Sequence, residues 1–148
     1  MFPQRRALAP RYRQKVKFSP GRLANPVWVD DEDFDVSYHV RRSALPKPGS
    51  PAQLRELVGR LQGRRLDRNR PLWEIYLVEG LHDGQVAIIT KTHHAMVDGV
   101  SAVDIGTVIL DMTPTPREVP EDDWVPDRAP GAASLVVGAV TDLLRRPT

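Results

Sequence analysis

Two apolar runs, LWEIYLVEGL at residues 72–81 and QVAIITKTHH at 85–94, flank the tripeptide His82-Asp83-Gly84. An Asp-Gly between strand-like runs is a strong local hairpin signal, because both residues tolerate the backbone such a turn needs. No other feature constrains the chain as much: its middle is expected to form an antiparallel strand pair. In the second run Val86, Ile88, Thr90, Thr92 and His94 fall on one face, and Ala87, Ile89, Lys91 and His93 on the other.

The segment before the hairpin reads as strand, break and helix. WVDDEDFDVSYHVRRSALP (28–46) runs from an acidic loop into a strand, with Val36, Tyr38 and Val40 on one face and His39 and Arg41 on the other. PKPGS (46–50) breaks the chain. Ser50 then offers an N-cap, Pro51 the first helical position and Gln53 the reciprocal partner of a capping box. Leu54, Leu57, Val58 and Leu61 form the apolar stripe of that helix, and Gly63 a stop. A further helix is expected from about Val100 to Leu110. Between Pro114 and Pro130 the prolines and acids describe an extended linker, and AASLVVGAVTDLLRR (132–146) reads as a last, largely apolar helix ending in two arginines.

At 148 residues the chain is about one domain long, enough to bury roughly 70% of its unfolded surface. Twenty-one Lys and Arg against nineteen Asp and Glu leave a net charge of +2, hence no strong field over the whole molecule. The distribution is uneven. Residues 1–29 hold Arg5, Arg6, Arg11, Arg13, Lys15, Lys17 and Arg22 and no acid. Such an arm suits phosphates of nucleic acid, lipid headgroups or coenzyme A, or is a solvated basic terminus. Aromatic residues are not interleaved with it beyond Tyr12 and Phe18, which weighs against nucleic acid. The absence of cysteine excludes disulfides, thiolate catalysis and cysteine-ligated metal. No apolar run approaches a membrane span and no signal-like core opens the chain, so a cytoplasmic protein is expected.

The most chemically loaded stretch is KTHHAMVDGV, 91–100. Adjacent strand residues point to opposite faces, so His93 and His94 are poorly placed to share a metal, and none is expected. One histidine where a strand gives way to a helix suits general-base work, since an imidazole with an ordinary pKa of about 6.5 accepts protons near neutral pH, although by spacing alone such a pair is more often structural than catalytic. Asp98 reads as the cap of the next helix or as partner to a distant arginine, and Gly99 as a tight turn.

HHAMVDG resembles the HHxxxDG signature of the coenzyme A-dependent acyltransferases. Together with NPVWVDDEDFDVSYHVRR, LDRNRPLWEIYLVEGL and KTHHAMVDGVSAVDI, it looks like the bacterial wax ester synthase/diacylglycerol acyltransferase family, including a Pro-Leu-Trp motif at Pro71, Leu72 and Trp73. The resemblance runs from the basic arm to about residue 115 in the family's order. It implies an α/β fold of the chloramphenicol-acetyltransferase type, a mixed sheet with flanking helices. It also implies O-acyl transfer from a fatty acyl-CoA to diacylglycerol or a long-chain alcohol. His94 would be the base, His93 a support, and Asp98 and Gly99 structural. Pro71, Leu72 and Trp73 would shape a substrate pocket, although proline-fixed strand start and buried indole explain them equally well. Acyl-CoA would be a co-substrate, with no cofactor.

Members of that family are longer, with two related domains around an acyl channel. The expected organisation is therefore a partial N-terminal domain over 1–113, a linker over 114–131, and a terminal helix over 132–148 leading toward an absent C-terminal domain. The family's Asn-Asp motif of the second half has no counterpart here. Two expectations stand: an acyltransferase of the triacylglycerol or wax ester type, in contact with the inner membrane face or lipid bodies, or a truncated, catalytically inactive remnant or one piece of a split enzyme that needs a complementing C-terminal half. Either way, the isolated chain is expected to expose apolar surface and to associate.

Overall fold

In a computed structural model the chain is described at residues 11–22, 25–96, 113–115 and 124–145. The expected helix at 100–110, Asp98 and Gly99, and Arg5 and Arg6 of the basic arm lie outside the described residues. The described residues divide between two compact units, one within Met1–Phe34, Arg68–Pro71 and Asp104–Thr148, the other within Asp35–Asp67 and Leu72–Val103.

The first unit is built on an antiparallel pair, β1 (Gln14–Lys17) and β2 (Val27–Asp30), joined through a 3-10 turn at Pro20–Arg22. Lys15 Nζ reaches the buried Asp31 carboxylate at 2.7 Å. Three arginines of the basic arm lie over rings: Arg11 on Trp28 at 4.7 Å, Arg13 on Trp124 at 4.8 Å, and Arg22 on Phe18 at 5.7 Å. The described part of the arm is thus folded, its cations engaged by aromatic faces, a carboxylate and a backbone carbonyl. Residues 124–130 take neither helix nor strand. They are nonetheless pinned: the Asp127 amide donates to Asp30 at 2.9 Å, and Lys17 Nζ donates to the Pro130 carbonyl at 3.0 Å.

The second unit begins with a helical turn where alternation predicts a strand. Residues Val36–His39 form one helical turn, α1, and only Val40–Ala44 is a strand, β3. The cause is local. The Asp35 carboxylate accepts from the Ser37 amide at 2.8 Å and from its hydroxyl, and this cap outweighs the apolar alternation that suggested a strand from Val36. The turn carries His39 into the interior.

The helix α2 (Pro51–Gly63) begins as expected. Gln53 N–H donates to Ser50 Oγ at 3.3 Å, and Ser50 N–H donates to Gln53 Oε1 at 2.7 Å. It connects β3 to β4 (Trp73–Glu79), which runs parallel to β3. Strand β5 (Ala87–Thr92) returns antiparallel to β4, giving a mixed sheet in the order β3-β4-β5. The hairpin turn is closed by Gly84 N–H to the Leu81 carbonyl at 2.9 Å, with Gly84 at φ 73°.

One face of this sheet receives α2. Leu45, Leu61, Tyr76, Val78 and Ile89 form the buried cluster, with Leu54, Leu57 and Val58 packed against it. The expected stripe of α2 is therefore its inward face. Its end is made differently from expectation. Gly63 is not among the glycines at positive φ. Instead Arg64 turns extended, and Lys91 Nζ from β5 donates to the Leu61 carbonyl at 2.7 Å and to the Arg64 carbonyl. A buried ammonium at the negative end of the helix satisfies carbonyls that a left-handed glycine would otherwise serve.

Candidate active site

Strand β5 stops at Thr92, and the histidine pair follows it. His93 N–H donates to the Leu72 carbonyl at 2.9 Å, prolonging the β4–β5 contact by one bond. The chain then enters a 3-10 turn over His94–Met96. Met96 N–H donates to the His93 carbonyl at 2.9 Å, and Ala95 N–H donates to His93 Nδ1 at 3.1 Å. His93 thus caps the turn that carries His94, as an Asx side chain caps a helix. Accepting through Nδ1 puts the ring proton of neutral His93 on Nε2. Met96 is buried and anchors the far end of the turn.

This geometry replaces the strand alternation expected for the pair. His94 is the first residue of the 3-10 turn, so period-two parity ends before it. Both histidines are exposed. His94 is free of the capping bond that engages His93, and its backbone is held on both sides. A base so placed can meet a substrate hydroxyl without rearranging the fold.

The Pro-Leu-Trp motif lies where β4 begins. Pro71 is fully buried, and Leu72 and Trp73 are 5% and 8% exposed. Trp73 stacks on His39 with ring centroids 4.5 Å apart and planes inclined by 21°. His39 Nδ1 donates to the Trp73 carbonyl at 2.7 Å, since that oxygen can only accept. Leu72, whose carbonyl receives His93, is therefore fixed by the buried indole one residue on and by the fully buried proline before it.

A charged cluster lines the α2-facing side of β4. The buried Glu74 carboxylate accepts from the Tyr76 hydroxyl at 2.7 Å and lies 4.0 Å from Arg41 Nη2. Arg41 Nε in turn donates to the Tyr38 carbonyl at 2.6 Å. Burial, the hydrogen bond to Glu74 and the Glu74 charge push the Tyr76 phenol above its ordinary value; Arg41 and Arg64 oppose the rise.

His39, Glu74, Tyr76 and Lys91 were not singled out by the sequence as chemically important. Their partners lie 34 residues away for His39 and 30 for Lys91, beyond any local spacing rule. The signal that does exist is a Glu and a Lys set at inward positions of two apolar strands, where a charge demands a partner. Among the described residues no three His, Asp or Glu side chains are grouped to hold a metal ion. No helix of the described residues is long and apolar enough to cross a membrane.

Comparison with known proteins gives a consistent answer. The family model of the wax ester synthase/diacylglycerol acyltransferase catalytic domain matches residues 1–148. A probable diacylglycerol O-acyltransferase of Mycobacterium tuberculosis, tgs3, is 57% identical over 144 residues, which are 97% of this chain and 53% of that protein. A second from that organism, tgs2, is 48% identical over 110 residues, 74% of this chain and 24% of the other. The solved wax ester synthase/diacylglycerol acyltransferase from Marinobacter aquaeolei VT8 superposes with a TM-score of 0.63 and 36% identity, over 90% of this chain and 31% of that one. The chain spans about half the length of the first of these relatives and less of the others. With the catalytic-domain model matched from end to end, and with the mixed α/β fold shared with a solved member, the chain belongs to the wax ester synthase/diacylglycerol acyltransferase family.

Proposed function

We propose that this chain carries the proton-accepting part of an O-acyltransferase that moves a fatty acyl group from acyl-CoA to diacylglycerol or a long-chain alcohol. The observation that carries this reading is the placement of His94, exposed at the start of a turn whose backbone is anchored by His93, Leu72 and Met96. In the proposed step His94 takes the proton of the acceptor hydroxyl while the alkoxide oxygen attacks the thioester carbonyl carbon. The tetrahedral intermediate collapses with cleavage of the carbon–sulfur bond. CoA departs as thiolate and takes the proton back from the imidazolium, so no acyl-enzyme forms.

His93 holds the turn. Asp98 and Gly99 keep their structural roles in this scheme. Pro71, Leu72 and Trp73 fix the strand start behind the site. A complementing C-terminal half supplies the other wall and donors to the developing oxyanion. The protein works at a lipid surface, on the cytoplasmic side of the membrane or at lipid bodies, where both substrates partition.

The test is CoA release, by this chain together with the complementing C-terminal half, from a long-chain acyl-CoA with diacylglycerol, with hexadecanol and with no acceptor. Acceptor-dependent release is expected. Release indifferent to acceptor, or none, overturns the proposal.

A further inference from the structure

The turn α1 delivers one buried side chain to the strand start that backs the histidine pair. Its Asp35 cap sets the backbone from Val36, and His39, the last residue of the turn, is fully buried. Two rings bracket the imidazole: Tyr38 edge-on, with centroids 5.1 Å apart, and Trp73 in a stack. The His39 Nδ1–H also donates to the Trp73 carbonyl. That bond falls on the peptide that follows Trp73, while the peptide that precedes it carries the Leu72 carbonyl. Trp73 is thus gripped by its ring and by its backbone at once.

The Leu72 carbonyl is what ties the histidine turn to the sheet. Among the described residues, two of the hydrogen bonds that this segment donates stay inside it, from Ala95 and Met96 to His93. A third crosses from His93 N–H to the Leu72 carbonyl. Regular β4–β5 pairing ends at Trp73 and Thr92, so Leu72 lies one residue past the ladder and is held by what holds Trp73. His94 is exposed, and its place is therefore set by its backbone and not by packing of its ring. A catalytic group works fully only when held within about 0.5 Å of its productive position. The bonds from His39 to Trp73 and from Leu72 to His93 form one route by which the buried interior supplies that restraint.

We propose that His39 is a positioning residue for the base His94: by holding Trp73 through ring and carbonyl it fixes the Leu72 carbonyl, and with it the turn that presents His94. It acts through Trp73, Leu72 and His93 and not on the reacting atoms. The proposal rests on the acyl transfer proposed for His94 and adds a residue to it.

Two variants separate positioning from packing. His39→Phe keeps the stack and loses the donor, whereas His39→Asn keeps a donor near the place of Nδ1 and loses the stack. If His39 only filled the core, activity would follow stability and His39→Phe would be the more active. Positioning predicts the reverse order. The assay is CoA release from a long-chain acyl-CoA with diacylglycerol, by the chain together with the complementing C-terminal half. In His39→Phe, kcat should fall about tenfold or more while KM stays within about twofold of the parent. His39→Asn, though less stable, should recover part of that loss. Amide hydrogen exchange on the chain alone follows the route itself. In His39→Phe the His93 and Ala95 amides should lose protection, while the Leu45 amide, bonded to the Glu79 carbonyl at 2.9 Å at the other end of the sheet, should keep it. With an active parent, three results overturn the proposal and leave the acyltransfer reading standing: an unchanged kcat in His39→Phe, rates that track stability across the two variants, or unchanged protection at His93. No acceptor-dependent release by the parent overturns the acyltransfer reading and this assignment together.

Discussion

The imidazole of His39 lies flat on the indole of Trp73, 4.5 Å between centroids, and donates to that residue's own carbonyl at 2.7 Å. One side chain therefore fixes both the ring and the backbone of the strand start beneath the histidine turn. His39→Ala should cost about 3 kcal/mol of stability, combining a cavity with a buried carbonyl left unmet. His39→Phe should cost less, because the stack survives and only the hydrogen bond is lost. Denaturant midpoints at constant slope check both values.

Tyr76 gives a pH-dependent prediction. Its folded-state phenol holds its proton above the ordinary 10.0, because it is buried, bonded to Glu74 and next to that residue's charge. The stabilisation is complete below pH 10.0 and is lost as pH rises through the higher folded value. Tyr76→Phe should cost about 2 kcal/mol near neutrality, the worth of a hydrogen bond to a charged acceptor. On moving to strongly alkaline pH the variant should lose less stability than the parent. Urea titrations at the two pH values test this.

Lys91 ends α2 from a distance. Lys91→Met keeps the buried stem and removes the ammonium that serves the Leu61 and Arg64 carbonyls. The expected cost is about 2 kcal/mol. Amide hydrogen exchange should show it first as lost protection in the last turn of α2.

These three residues also mark how far the sequence could be read. The helix start at Ser50 and the hairpin at Asp83-Gly84 were legible because their determinants are neighbours in the chain. The stretch Val36–His39 misled because alternation of Val36, Tyr38 and Val40 fits a strand, while the Asp35 cap on Ser37 decides the backbone. The histidine pair was found, but its geometry was not: the His93 cap ends the strand before His94. Partnerships such as Lys91 with Leu61 depend on the fold bringing distant segments together, and no local spacing announces them.

Gly49 is a backbone requirement with a sharp test. It sits at φ 73°, and an added Cβ would fall 1.9 Å from the Gly80 carbonyl oxygen. The Gly49 carbonyl also receives the His82 amide at 2.9 Å, docking the hairpin loop on the segment before α2. Gly49→Ala should destabilise by at least about 2 kcal/mol through left-handed strain and collision. A thermal melt is sufficient to measure it.

The most direct measurement is the initial rate of CoA release from a long-chain acyl-CoA in the presence of diacylglycerol, in the parent, His93→Ala and His94→Ala chains, each with the complementing C-terminal half. General-base catalysis by His94 predicts a fall of about a hundredfold or more in His94→Ala, and a smaller fall in His93→Ala, where only the turn is loosened. Equal acceptor-dependent rates in the parent and His94→Ala would contradict the account.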